Sequence, residues 1–477
     1  MRLNIASLAK PAADRLLPAS LAARLLAIID RIDAIVEGRD DSAVSQRTVV
    51  FAFAIRVLSA AIAYLSQVAM ARWMGDFQYG IFVAVWVAVV ILGGIACLGF
   101  QTGVIRFISE YRATGEEDGL RGVLRAALAW AFAGATVMAL AGVGLLYLIS
   151  DHISNYYVLP IYLITICLPM LALQEVQDGI ARAHNWPGAA LAPTFILRPL
   201  LILAAMAIAT SAGFAADAPT AVLSAVAATW LASLLQFFVL ARRLARTVPK
   251  GPRSYFPREW LAITIPIFFV EGFYNLLTNT DILFVGYYLP PDQVGVYFAA
   301  AKTLALVHFV YFAVKAGSAH RFATYHKSGN RARYEQFIQE TIHWTFWPSL
   351  ALAVVMGLLG KYFLVLFGPS FVNGAELLWI LAAGVVVRSS VGAAESVLTM
   401  SGEQRTCALV YAASLTVNIC LNMTLIPRFG LQGAAIATSL ALAFESAALY
   451  AAAKRRLGLH IFIVPARSTI AARGASR

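Results

Sequence analysis

What most constrains this chain is a recurring pattern of apolar runs. Between residues 48 and 453, stretches of 18 or more mainly apolar residues follow one another, separated by short polar turns. Each can cross the roughly 30 Å hydrocarbon core as a helix, which satisfies its own backbone amides where no water can. The composition agrees: 60% of residues are hydrophobic and 13% charged, where a globular domain is about half apolar and a quarter charged. Twelve spans are predicted, near 48–70, 80–104, 122–149, 154–177, 188–210, 219–241, 260–288, 293–316, 342–366, 374–397, 404–425 and 431–453. The fold class expected is an all-α integral membrane protein.

The net charge of +12 is not the footprint of a nucleic-acid binder, because of where the charge sits. Of the 37 Lys and Arg, 30 fall in or beside the N-terminal tail, the loops after even-numbered spans and the C-terminal tail. Cytoplasmic loops carry such an excess, so both termini are expected on the cytoplasmic side. The clusters 241–253 and 454–458 then set topology, with contact to acidic headgroups as a secondary role. Cys97, Cys167, Cys407 and Cys420 all fall within spans without CxxC spacing, so packing is expected of them rather than disulfides. The first 47 residues show no signal peptide. Leu21, Leu25, Ile28, Ile32 and Ile35 recur there at helical spacing, which suggests an amphipathic surface helix or, failing that, a partner-binding one.

An internal repeat organises the chain. "MGDFQYGIF" (74–82) aligns with "LPPDQVGVY" (289–297) at an offset of 215 residues, and "RFISEYRATG" (106–115) aligns with "RFATYHKSGN" (321–330) at the same offset. Gly80 thereby falls on Gly295. "LARRL" (240–244) matches "AKRRL" (453–457) at offset 213. The reading is two six-span bundles, 47–241 and 260–457, joined by a basic cytoplasmic linker, 242–259. They are flanked by an N-terminal extension, 1–46, and a tail, 458–477. Six spans per half leave both halves in the same orientation, as in parallel-repeat transporters, with substrate between them.

Several chemistries are missing. There is no phosphate-binding loop, no HExxH, no GxSxG and no His, Cys or Asp grouping at metal-ligand spacing. The seven histidines are scattered and read as packed or interfacial residues. Short outer loops leave an enzyme little room for an active site, so transport is expected, with no cofactor and no metal.

The charges inside the spans carry the functional signal. By helical rise, Arg198 lies ~15 Å into span five, Lys302 ~13 Å and Arg388 ~21 Å from the outer ends of spans eight and ten, and Arg56 ~12 Å from the inner end of span one. Such charges are costly in hydrocarbon and mark function or pairing. Pairing would join Arg56 or Lys302 to Glu271, and Arg388 to Glu395 or Glu445. The alternative is substrate contact: deep cations suit an anionic group such as a diphosphate, which Arg grips through bidentate bonds. In span seven, Glu271, Tyr274, Asn275, Thr278, Asn279 and Asp281 fall within about half the circumference of a continuous helix. That face is expected to line a wet path between the bundles, with Asp281 as a gate or cap. Glu175 and Asp178 close span four, where solvent is expected to reach them.

Three stretches carry a family resemblance: "RWMGDFQYGIF" after span one, "NTDILFVGYYLPPDQVGVYFAAAKT" around spans seven and eight, and "IPRFGLQGAAIATSLA" opening span twelve. Over residues 47–457 the chain resembles the polysaccharide transporter family, which includes O-antigen and exopolysaccharide repeat-unit flippases. That family belongs to the multidrug/oligosaccharidyl-lipid/polysaccharide exporter superfamily. The resemblance implies a V-shaped pair of bundles that alternates access in the bacterial inner membrane. It implies a polyprenyl-diphosphate-linked oligosaccharide as substrate, with polysaccharide polymerase and chain-length machinery as partners. Arg56, Arg198, Lys302 and Arg388 would line a basic central cavity, and Glu271, Asn275, Asn279, Asp281 and Glu395 would serve ion coupling or form its polar face. The lipid II branch of the superfamily typically has fourteen spans, and drug antiporters usually carry acidic residues in the first span, where this chain has Arg56. The rival readings are a cation-coupled drug or metabolite exporter and, from a different class, a membrane assembly or polymerisation factor.

Overall fold

The computed structural model describes residues 41–327 and 331–464. These fall into two units, the helical stretch up to Ser59 and everything from Ala60 on. The amphipathic helix expected within residues 21–35 and the tail beyond 464 lie outside the described residues.

The described chain is helical throughout. In order, the helices are α1 (Asp41–Ala96), α2 (Phe100–Thr114), α3 (Glu117–Ile149), α4 (Asn155–Thr165), α5 (Leu168–Ala183), α6 (Pro187–Ala192), α7 (Arg198–Ser211), α8 (Ala218–Thr247), α9 (Pro257–Leu277), α10 (Thr280–Tyr288), α11 (Pro291–Lys327), α12 (Arg331–Phe367), α13 (Ala375–Ser389), α14 (Ala394–Met400) and α15 (Gln404–Leu457). Among the described residues, nine helical stretches are long and apolar enough to span a bilayer, and α4 with α5 makes a tenth, bent by 49°. Two of the ten cross more than once. α1 breaks at Gly75 (φ 74°), and α15 breaks at Gly430 (φ 57°), both in the left-handed region that glycine tolerates. Dividing these stretches gives the twelve expected spans.

Other breaks follow from local chemistry. Span seven, expected as one helix over 260–288, is interrupted at Thr278 and Asn279. The Asn279 amide donates back to the Asn275 carbonyl (2.9 Å), and the Thr278 hydroxyl to the Tyr274 carbonyl (3.0 Å). Such side chains compete for the helix's own acceptors. The single polar face expected of this span is therefore divided, and its two parts meet different neighbours. Span ten breaks between Ser389 and Ala394, around Gly392 (φ 53°). Span five carries a π-helical turn, Pro193–Leu197, between α6 and Arg198.

α8 packs against both α5 and α7 in the first half, and α13 packs against α15 in the second. The two halves touch where the repeat predicts a correspondence. Gly80 and Gly295 lie against each other: a Cβ on Gly80 would sit 1.6 Å from the Pro291 carbonyl oxygen, and one on Gly295 would sit 2.8 Å from that of Asp76. Arg72 reinforces this seam by donating to the carbonyls of Leu366 and Val365, both at 2.6 Å. Toward the other end of the membrane, α9 meets α2. There Thr264 fills the space beside Gly99 and Gly103, and the Trp260 indole donates to the Tyr111 hydroxyl (2.9 Å).

The glycine crossing makes a sharp test. Gly80→Ala should lower the melting temperature of the purified protein, because main chains must move apart and overpacking costs about 1–3 kcal/mol. Gly142→Ala should be neutral or stabilising, since nothing lies within 4 Å of its Cβ position. Equal melting temperatures for the two variants would contradict the crossing.

Candidate functional site

Two cavities lie next to each other. One, of about 310 Å³, opens between α1 and α11 and is walled by Tyr64, Trp86, Phe298 and Phe309. The other, of about 400 Å³, lies inside the second half among α9, α10, α11, α13 and α15, and includes Tyr274, His308, Tyr311, Asn418 and Glu445. Asn279 and Lys302 line both. Lys302 is exposed there, its ammonium 4.8 Å from the centre of the Phe298 ring. It forms no ion pair among the described residues, and the charge acting on it is that of Asp281.

The other deep charges have defined neighbours. Arg388 is 7% exposed; its Nε lies 2.7 Å from a carboxylate oxygen of Glu445, itself 2% exposed. Its Nη2 is 3.8 Å from Glu395, and its Nη1 donates to the Gly392 carbonyl freed by the break in span ten (3.2 Å). Glu395 also pairs with Lys315 and accepts from the Tyr411 hydroxyl. Pairing was the structural alternative for Arg388, and the geometry follows it. Arg198 lines neither cavity. It donates to the Gln174 side chain (3.1 Å) and stacks 5.4 Å from the Trp86 ring, so only the indole reaches the cavity. Glu271 accepts from Gln101 (2.7 Å), and it forms no ion pair with Lys302. The Arg56 side chain lies outside the described residues. Asn275 reaches toward Gly94 and bonds Asn279. Asp281, 6% exposed, accepts from Tyr297 (2.7 Å), Thr438 (3.2 Å) and the Ile282 amide (2.9 Å). Of the nine residues singled out from the sequence, Lys302, Arg388, Asn279 and Asp281 share the larger cavity. Its walls thus hold two cations and, in Asp281 and Glu445, two carboxylates, which is a balanced set rather than a basic one.

Comparison with known proteins decides the family. A family model described as "polysaccharide biosynthesis protein" matches residues 46–317, more than half the chain. The chain belongs to that family. A second model, MatE, matches residues 266–424. Solved structures similar in fold include an inward-facing multidrug resistance MATE transporter of the MOP superfamily, at TM-score 0.69 and 14% identity, covering 84% of this chain and 94% of that one. The lipid II flippase MurJ in an inward closed conformation is similar at TM-score 0.65 and 14% identity, over 85% and 87% of the two chains. A MOP superfamily transporter from Pyrococcus furiosus follows at TM-score 0.63 and 12% identity, over 89% and 97%. No curated protein matches in sequence.

This member of the polysaccharide biosynthesis family holds polar residues that its sequence conceals. Asp178, expected in solvent at the end of span four, is 7% exposed and accepts from Thr194 (2.8 Å) and Gln236 (2.6 Å). The turn after α5 folds α6 and the π-helical turn back over it, which hydropathy does not register. Lys315, which the sequence did not single out, pairs with Glu395.

The Arg388 network has a measurable signature. Arg388→Ala should sharply reduce protein abundance, since stranding the buried Glu445 carboxylate costs about 3–5 kcal/mol. Arg388→Ala with Glu445→Gln should regain much of that loss. If Arg388→Ala is as abundant as wild type yet inactive, substrate contact rather than pairing governs this residue.

Proposed function

We propose that the protein moves polyprenyl-diphosphate-linked oligosaccharide units across the bacterial inner membrane by alternating access, for surface polysaccharide such as O-antigen or exopolysaccharide. The observation carrying this reading is Lys302, a deep cation without an ion-pair partner among the described residues, in the wall common to both cavities. An exposed ammonium in a cavity wall attracts an incoming anion, and a diphosphate adds negative charge beyond that of Asp281. The aromatic wall of Tyr64, Trp86, Phe298 and Phe309 offers the apolar surface that a prenyl chain or a sugar face packs against. Family membership supports a role in polysaccharide biosynthesis, and the lipid II flippase among its structural relatives supports a lipid-linked substrate. In this reading the termini and the linker 242–259 face the cytoplasm, and polymerase and chain-length proteins take the product outside.

A second reading, a cation-coupled drug exporter, draws on the MatE match and on one feature of the larger cavity. Asp281, Glu445, Tyr274 and Tyr311 are the carboxylates and aromatics a cationic ligand would seek.

Lys302 separates the two. In proteoliposomes with a fluorescent prenyl-diphosphate oligosaccharide, Lys302→Met should slow flipping at least tenfold, a loss of about 1.4 kcal/mol or more. Lys302→Arg should keep most of the rate. Unchanged flipping in Lys302→Met, or faster efflux of a cationic dye, would favour the exporter.

A further inference from the structure

The first half contains a second set of buried polar groups, away from both cavities. α5 presents Gln174, Gln177 and Asp178, and α8 presents Thr229, Ser233 and Gln236 at positions i, i+4 and i+7, one face of the helix. The π-helical turn and the start of α7 bring Thr194 and Arg198. Hydrogen bonds join the three elements: Thr194 and Gln236 to Asp178, and Arg198 to Gln174. Yet much of the set remains unsatisfied. Both ends of the Gln177 amide, 0% exposed, lack a hydrogen-bond partner, as do Gln174 Nε2, Gln236 Oε1 and the Ser233 hydroxyl, while the Thr229 hydroxyl faces the Cys167 thiol. A buried polar atom left without a partner is unfavourable. Five such atoms on the facing turns of α5 and α8 are too many for a dry core.

Their chemistry says what should satisfy them. A metal cation would be met by acceptors alone, but here amide donors and the Arg198 guanidinium point in as well. Water both donates and accepts, and occupies buried polar sites of this kind. The seam also has two ends. One helical turn beyond Asp178, Arg182 is exposed. At the other end, Arg198 stacks on Trp86, which lines the cavity between the halves. Asp178 forms no ion pair among the described residues; the charges near it are Glu175 and Arg182 on its own helix and Arg198 on α7. α8 faces it with the neutral Gln236, and α2 contributes the Gln101 carbonyl, to which Arg182 donates.

We propose that this seam is a water-filled proton path through the first bundle, with Asp178 as the group that holds the proton. A proton passes from water near Arg182 to the Asp178 carboxylate, and from there along waters held by Gln177, Ser233 and Gln174 toward Arg198 and the cavity. Each water accepts one proton as it gives up another. Asp178 is the carrier, and Gln177 and Ser233 are positioning residues.

The test uses the full-length protein in liposomes without any lipid-linked substrate, so its outcome is independent of what the protein carries. Infrared difference spectra on lowering the pH should show the carbonyl stretch of a protonated carboxyl group. Asp178→Asn should remove that band, and Asp178→Glu should shift it, which covers the case in which Asn is not tolerated. Gln177→Leu should retain the band while slowing proton entry, read by a trapped pH dye, about tenfold. A band that survives Asp178→Asn unshifted would overturn the proposal. So would undiminished proton entry in Gln177→Leu, or proton entry that requires sodium in place of choline.

Discussion

A charge inside a bilayer must find an opposite charge, a hydrogen-bond donor set or water, because its desolvation otherwise costs more than the fold can supply. The arrangement of this protein can be traced from that constraint. Arg388 is matched by Glu445, Glu395 by Lys315 and Tyr411, and Asp281 by Tyr297, Thr438 and a backbone amide. Against this background of matched groups, the exposed Lys302 stands out, and it sits where both cavities can reach it.

The same constraint shapes the backbone. Breaks in spans seven and ten free carbonyls and amides at membrane depth, which is tolerated only where protein or a wet cavity receives them. Arg388 takes the Gly392 carbonyl, and the Asn279 and Thr278 side chains turn back on their own helix. Both breaks adjoin the larger cavity, whose lining includes Thr278, Asn279, Arg388 and Ser389. Between the halves, by contrast, the contact at Gly80 and Gly295 is made by backbone with no side chain interposed, and it places two repeat-related residues side by side.

Much of this was legible in the chain. Apolar runs located the spans and left the gaps in which α1 and α15 turn, and the 215-residue offset paired the two glycines that meet. Pairing of Arg388 with Glu445 was among the alternatives the sequence offered. What escaped was whatever depends on how a short connection folds back. Hydropathy placed Asp178 at a solvated boundary, while α6 and the π-helical turn bury it. A strict 100° periodicity put Glu271 and Asp281 on one face, but the break at Asn279 sends one toward Gln101 and the other toward Thr438. Helical wheels assume an unbroken helix, and the polar residues that make such a face interesting are also those that interrupt it.

The central claim is that the carried molecule is a lipid-linked oligosaccharide. Its most direct measurement is the leaflet distribution of such intermediates in a strain lacking this protein, read by a membrane-impermeant glycan-binding probe on spheroplasts and on inverted vesicles. The account predicts that the intermediates accumulate on the cytoplasmic leaflet, that surface polysaccharide is lost, and that re-expression restores both. An unaltered distribution and normal polysaccharide, with greater sensitivity to cationic dyes, would contradict it.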